Sequence, residues 1–175
     1  MTGKRDVVIT GCGIVSPLGS DLDTFWSRLS AGESGVSTIE NFDASELPVR
    51  FAGEVKQWEA ISDSMFDRKD RKRLDRFCQF ALWSAEQAVR HAGVDFDRLD
   101  RDRCGAVIGS AIGGLQELED QKERLIEGGP RRVSPYTIPK MLANSASGLV
   151  SIQYGLRGPT TCAVTACASA NHSIG

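Results

Sequence analysis

One residue of this sequence combines a reactive type with a suggestive setting. Cys167 lies in VTACASANHSIG, residues 164–175, where a β-branched run gives way to small side chains. A cysteine thiolate attacks acyl carbonyls and can hold the acyl group as a thioester, so a reactive cysteine here would do acyl-transfer chemistry. Its neighbours Ala166 and Ala168 are small enough to leave the sulfur open. A strand-to-helix junction at this point would aim helix N-terminal amides at a thiolate or at a developing oxyanion. The setting resembles a hydrolase nucleophile elbow, although the flanking residues are not Gly-x-Ser-x-Gly. The alternative is an inert small hydrophobe, the reading given to Cys12, Cys78, Cys104 and Cys162. Local residues leave both open for Cys167.

Other candidates are weaker. The two histidines, His91 and His172, have no ligand-like spacing with cysteines or carboxylates, so no metal site is expected. His172 follows Cys167 by five positions, which on a helix points it away, and both histidines read as structural. The segment GCGIVSPLG places Ser16 where a dinucleotide fingerprint needs its third glycine, with Pro17 directly after it; a structural turn is the better reading. DRKDRKRLDR, residues 67–76, concentrates six basic side chains in ten positions, and Arg131 and Arg132 form a second basic pair. Composition alone makes the first run a solvated face with weak local ion pairs. Together the two patches would suit an acidic partner.

Regular elements must position these residues. DVVIT, residues 6–10, predicts a buried strand running into a glycine turn. A helix follows, capped by Ser20 or Asp21 and ending near Gly32. Residues 36–60 give mixed signals, with FAGEV a possible strand. The spacing of Leu74, Phe77, Ala81, Ala85, Ala88 and Ala92 predicts a long, largely buried helix ending at Gly93. Residues 104–114 predict a second strand, and LQELEDQKERLIEGG a charged surface helix stopped by Gly128 and Gly129. After a proline-punctuated loop come a helix over residues 140–155, a third strand at TTCAVTA, and a last helix beginning at Cys167. Strands alternating with helices imply an α/β layered fold with largely parallel pairing.

The 175 residues, 41% hydrophobic and 25% charged, suit one soluble globular domain. A net charge of -2 argues against bulk attraction to nucleic acid or anionic membrane. No apolar run approaches the roughly 20 residues that span a bilayer, and the short polar start does not look like a leader. Five cysteines, an odd number with no C-x-x-C pair, imply free thiols in a reducing cytoplasm.

Taken in order, VVITGCGIVSPLG, FAGEV, DRKDRKRLDRF, GSAIGGL, GGPRRVSPYTIP, YGLRGP and TACAS resemble the N-terminal part of β-ketoacyl-[acyl-carrier-protein] synthases, in the elongating synthase II branch. The resemblance implies a thiolase-like layered fold of two related α/β halves. Residues 1–175 would supply the first half as one domain, cut within the helix after the cysteine. It implies a condensing enzyme of fatty acid elongation, an acyltransferase in which Cys167 takes an acyl group from a carrier-protein thioester. Malonyl-carrier protein then loses carbon dioxide and attacks the acyl-cysteine. Lys69, Lys72, Arg73, Arg131 and Arg132 match where the family docks its acyl carrier protein. Ile112 matches a position lining the acyl pocket, and Tyr136 and Thr137 lie in a loop that reaches the partner's pocket in a homodimer. The TTCAVTA strand would pair across that dimer's axis.

No cofactor of its own is implied, since phosphopantetheine is carried by the partner. The family's two decarboxylating histidines and their supporting lysine belong to its C-terminal half and are not in this sequence. Ala170 stands where the family usually has glycine. A ketosynthase of polyketide assembly and a non-catalytic carrier-binding module are the alternative readings.

Overall fold

The computed structural model describes residues 6–175. The polar start, residues 1–5, lies outside the described residues. The chain divides into two units: residues up to Trp58 with Trp83–Val94, and Glu59–Leu82 with Asp95–Gly175.

In the first unit, α1 (Leu22–Ser30) starts where the sequence predicts, with the Asp21 carboxylate accepting from the Thr24 amide at 2.8 Å. Arg28 ties the end of α1 down, donating to the Leu18 carbonyl at 2.9 Å and to Glu33 at 2.6 Å. FAGEV does supply a strand: β1 (Val36–Thr38) and β2 (Phe51–Gly53) pair antiparallel, Val36 opposite Gly53 and Thr38 opposite Phe51. The Glu54 carboxylate, just past β2, accepts from the Glu40 and Asn41 amides at 2.8 and 3.1 Å, and the Glu40 bond holds its pKa below the usual carboxylate range.

The expected strand at residues 6–10 does not form. Those residues make no ladder, and Val7 is 96% exposed; a strand needs a neighbour to satisfy its amides, and none pairs with this segment among the described residues. The glycines beyond it have a packing role. The second half of α4 (Arg76–Ala92) lies so close that a Cβ on Gly11 would sit 2.4 Å from the Ala88 carbonyl oxygen, and one on Gly13 2.0 Å from that of Ser84. Along this contact Gln87 donates to the Ile14 carbonyl at 2.9 Å, the Trp83 indole to that of Ser20 at 2.7 Å, and the Cys12 amide to His91 Nδ1 at 3.2 Å. GCG is therefore a place where main chain touches helix.

The second unit carries short helices that periodicity does not reveal. α2 (Trp58–Met65) is followed by α3 (Arg68–Arg73), whose N-cap Asp67 accepts from the Lys69 and Asp70 amides at 2.8 and 2.7 Å. The predicted long helix starts two residues late, at Arg76, because Leu74 is extended and Asp75 accepts from the Phe77 amide at 3.2 Å. The first half of α4 buries Cys78 and Leu82, and Gln79 Oε1 accepts from the buried Ser62 hydroxyl at 2.8 Å.

β3 (Ala106–Val107) and β4 (Thr160–Thr161) pair in parallel, Ala106 opposite Thr160. Both are shorter than the apolar runs that contain them, yet Ile108 and Ser110 amides still donate to the Thr161 and Ala163 carbonyls at 3.3 and 3.1 Å. α5 (Leu115–Gly128) ends as predicted, with Gly129 at φ +73°. α6 (Thr137–Met141) interrupts the expected loop, and α7 (Ser145–Tyr154) is shorter than the expected helix. α7 buries Ala146, Ser147, Val150 and Ser151, and Ser151 shares a 2.8 Å hydrogen bond with Thr160 beside the ladder.

Gly13→Ala is expected to cost roughly 1–3 kcal/mol of stability, since its methyl group has no room against α4. Urea unfolding measures this; an unchanged midpoint would mean that the segment is not held on the helix.

Candidate active site

After β4 the chain runs irregularly through Cys162–Thr165, then makes a single 3-10 turn, Ala166–Ala168, before α8 (Ser169–Ile174). Cys167 is at the centre of that turn, two residues before α8, and not the first residue of the helix as the sequence predicts. The reason is local. Ala166 adopts φ +50°, a left-handed conformation that costs a residue with a Cβ about 1–2 kcal/mol. Ser169, only 5% exposed, holds the strained turn: its hydroxyl accepts from the Thr165 amide at 2.9 Å and donates to the Ala166 carbonyl at 2.7 Å.

The far side of the turn rests on the end of the β3 strand. A Cβ on Gly109 would lie 2.5 Å from the Ser169 carbonyl oxygen and 2.8 Å from the Ser173 hydroxyl, so only glycine lets these two main chains meet. The Ser173 hydroxyl in turn donates to the Ser169 carbonyl at 2.9 Å. Backbone strain held by a buried hydroxyl and a glycine contact is the kind of arrangement found at functional turns.

The Cys167 side chain is exposed and has no hydrogen-bond partner among the described residues. Ala168 and Ser169 amides are engaged, bonding the Thr165 and Ala166 carbonyls. The amides of Ala166 and Cys167 bond nothing among the described residues, and that of Cys167 belongs to the same residue as the open sulfur. A free N–H beside an open sulfur can take the oxygen of a carbonyl the sulfur attacks. The helix N-terminus contributes less than expected, since its leading amides are used inside the turn. His172 turns back from α8 to share a 2.8 Å hydrogen bond with the Thr165 hydroxyl, bracing the turn without contacting the thiol. All five cysteines are free, and burial pushes the Cys78 thiol up to about 12, with the Asp75 charge adding to the effect, so Cys78 stays protonated.

The remaining predicted residues also belong to the second unit. Ile112 is exposed in the loop between β3 and α5, where Gly113 at φ +80° and Gly114, whose amide donates to the Met141 carbonyl at 3.1 Å, bind that loop to the end of α6. Tyr136 and Thr137 open α6; the Thr137 hydroxyl donates to the Ser134 carbonyl at 2.7 Å. Arg73 of α3 stacks over the Tyr136 ring, 5.1 Å from its centroid, so a predicted docking residue and a predicted pocket residue are in contact. Among the described residues no hydrogen bond or ring contact joins Cys167 to Ile112, Tyr136 or Thr137.

Lys69, Lys72, Arg131 and Arg132 are exposed, and none forms an ion pair among the described residues. Arg71 and Arg76 beside them are paired with Asp63 and Glu59. The run at 67–76 thus separates into neutralised cations and free ones. Gly128 has room for no side chain because Arg132 lies across it, the Cγ 2.6 Å from where a Cβ would be. Arg132 lines a cleft of about 470 Å³ with Arg124 and Glu127.

α5 departs from the expected surface helix. Glu117 and Gln121 are 3% and 5% exposed, one turn apart on its inner face. Glu117 forms an ion pair with Lys140 of α6, Gln121 donates to Glu117 at 2.9 Å, and the Ser134 amide donates to Gln121 at 2.8 Å. Asp75 faces the same place, its carboxylate 2.9 Å from where a Cβ on Gly114 would lie. Burial raises the Asp75 pKa and nearby Glu117 adds to the rise, against the Phe77 amide and the Lys140 charge, which lower it.

The family model described as "Beta-ketoacyl synthase, N-terminal domain" matches residues 4–175. The chain is 46% identical to 3-oxoacyl-[acyl-carrier-protein] synthase 2 of Synechocystis sp. over 172 residues, covering 98% of this chain and 41% of that protein. It is 41% identical over 175 residues to the protein of the same name from Staphylococcus aureus strain COL, covering 100% of this chain and 42% of that protein. Among solved structures it is similar to the ishigamide ketosynthase/chain length factor, with 27% identity, a TM-score of 0.78, and coverage of 96% of this chain and 42% of that one. It is also similar to a β-ketoacyl synthase from Burkholderia phymatum STM815, with 26% identity, a TM-score of 0.78, and coverage of 95% and 41%. The chain thus spans about two fifths of the length of the relatives it matches and has an α/β, thiolase-like half-domain fold.

Asp75 supplies a stability test with a defined sign. Its raised pKa means that the folded state holds the proton more tightly than the unfolded chain, so its contribution favours folding at low pH and is lost as pH rises through the raised value. Asp75→Asn, which keeps a side chain able to cap α4, is expected to gain stability relative to the parent as pH rises from about 4 to neutrality. Thermal unfolding across that range checks it; a gain that shrinks with rising pH would contradict the assignment.

Proposed function

The chain belongs to the β-ketoacyl synthase family, as its N-terminal domain, and from that premise we propose that the whole protein is a condensing enzyme of fatty acid elongation with Cys167 as its acyl acceptor. The observation that carries this is the strained turn at Ala166–Ala168, which presents an open thiol beside an unused amide.

The Cys167 thiolate adds to the thioester carbonyl of an acylated carrier protein. The developing oxyanion takes the Cys167 N–H, and collapse of the tetrahedral adduct expels the carrier's phosphopantetheine thiolate, which takes up the proton the cysteine gave up. The acyl group is then a thioester on Sγ. In the second stage malonyl-carrier protein loses its carboxylate as carbon dioxide. The electron pair left on carbon attacks the acyl-cysteine carbonyl, forming the new carbon-carbon bond and releasing the Cys167 thiolate. The donors that polarise the malonyl thioester are those the family resemblance puts in the C-terminal half, outside these residues.

The unpaired cations Lys69, Lys72, Arg131 and Arg132, with Arg73, form the surface for an acidic carrier protein, and Ile112, Tyr136 and Thr137 border the acyl pocket. One solved ketosynthase of the same fold, at 22% identity, is described as a complex with its type II polyketide acyl-carrier protein, which supports a carrier as partner. The full-length protein is read as a cytoplasmic homodimer with no cofactor of its own; among the described residues no helix is long and apolar enough to cross a membrane. Fatty acid elongation is preferred over polyketide assembly because the chain is 40–46% identical to several 3-oxoacyl-[acyl-carrier-protein] synthases 2 and 27% identical to the ishigamide ketosynthase/chain length factor.

The full-length protein, given acyl- and malonyl-carrier protein, is expected to release carbon dioxide and form 3-oxoacyl-carrier protein, and Cys167→Ala to lower the rate by about a thousandfold or more. Condensation that survives in Cys167→Ala would refute the assignment.

A further inference from the structure

Glu117, Gln121 and Lys140 have no part in the chemistry above, yet Glu117 and Gln121 are among the most enclosed polar groups of the second unit and the Lys140 side chain is only 18% exposed. Replacing a buried ion pair with apolar side chains of similar volume is often neutral or stabilising. What such a pair supplies is fixed geometry, and the segments it joins here are those that carry the exposed cations. Lys140 of α6 pairs with Glu117 in the first turn of α5. Through Gln121 the same group reaches the Ser134 amide, two residues after Arg132, so the loop bearing Arg131 and Arg132 is anchored to α5 from inside. At Gly114 the Asp75 carboxylate and the Lys140 carbonyl oxygen converge, 2.9 and 2.4 Å from where a Cβ would lie, bringing in the junction between α3 and α4. Arg73 stacked on Tyr136 ties α3 to the same loop a second time.

Resting on the carrier-protein reading above, we propose that Lys140, Glu117 and Gln121 are positioning residues that lock the α3 cations and the Arg131–Arg132 turn into a single docking surface for the acidic carrier. None of the three touches substrate. Their effect is on how two separate groups of positive charge, about 60 residues apart in sequence, face one partner at once. A loosened clamp leaves each cation in place and blurs the distance between the two groups, which weakens a two-patch contact more than a single one.

The test uses the full-length protein with two variants. The double variant Glu117→Gln/Lys140→Met removes both charges together, so that neither is left buried alone; Gln121→Met keeps the ion pair and cuts its connection to Ser134. In folded variants, KM for acyl-carrier protein is expected to rise about tenfold, while acylation by an acyl-pantetheine thioester, which has no carrier to dock, changes by less than about twofold. Gln121→Met, which removes the bonds to both Glu117 and Ser134, keeps the test in force if the double variant does not fold. Equal loss with both acyl donors would show a merely structural role, and unchanged KM in a folded variant would show no role; either overturns the proposal. If the parent protein itself shows no saturable dependence on carrier protein, the functional reading falls and the clamp with it.

Discussion

The candidate site depends on two main chains being allowed to touch. At Gly109 the strand that begins as β3 passes so close to Ser169 that no side chain larger than hydrogen fits between them. That contact sets where α8 starts, and the buried Ser169 hydroxyl holds the Thr165 amide and the Ala166 carbonyl, before and after the strained backbone of Ala166. Ala166 stays in a left-handed conformation because its surroundings over-determine it. Cys167 is then carried outward, with its own amide left unbonded. The openness of the thiol follows from packing behind the turn and owes little to the helix dipole, which is small for a helix as short as α8.

Charge in the second unit falls into two classes with different work to do. Exposed pairs such as Arg157 with Asp102 and Arg76 with Glu59 are solvent-screened and add little stability, but they neutralise cations that would otherwise be available to a partner. Among the cations that form no ion pair among the described residues, Lys69, Lys72, Arg131 and Arg132 are exposed in the two basic segments. Buried Glu117 and Gln121, with half-buried Lys140 and Asp75, are of the other kind: desolvation makes their geometry strict, and they sit where α4, α5 and α6 come together. Sorting cations by whether they already have a partner turns an undivided basic run into a surface with a shape.

Long-range contacts decide how much of this could be read in advance. α4 and α5 are legible because apolar spacing and terminal glycines are local signals, and Asp21 announces α1 in the same way. α2, α3 and α6 are each too short to show a period, and Pro139 disguises α6 although it falls in the first turn, where a missing amide costs nothing. DVVIT has the composition of a strand, but pairing is a property of two segments, and no partner faces it among the described residues. Glu117 and Gln121 look like solvated helix residues because their partners, Lys140 and the Ser134 amide, lie 23 and 13 residues further on. For Cys167 the residues alone leave two readings, and the ordered motifs favour the nucleophile, while the positive φ at Ala166 is invisible because alanine carries no mark of a left-handed position.

If this turn makes Cys167 the acyl acceptor, as proposed, an acyl group taken from carrier protein must rest on its sulfur. The most direct measurement is to mix the full-length protein with acylated carrier protein in the absence of malonyl donor, quench, digest at low pH to preserve thioesters, and map the acyl group by mass spectrometry. One acyl group per active chain is expected on the peptide containing Cys167, with the exposed Cys12 unmodified. An acyl group found on Cys12 or elsewhere, or a carrier protein that keeps its acyl group in full, would contradict it.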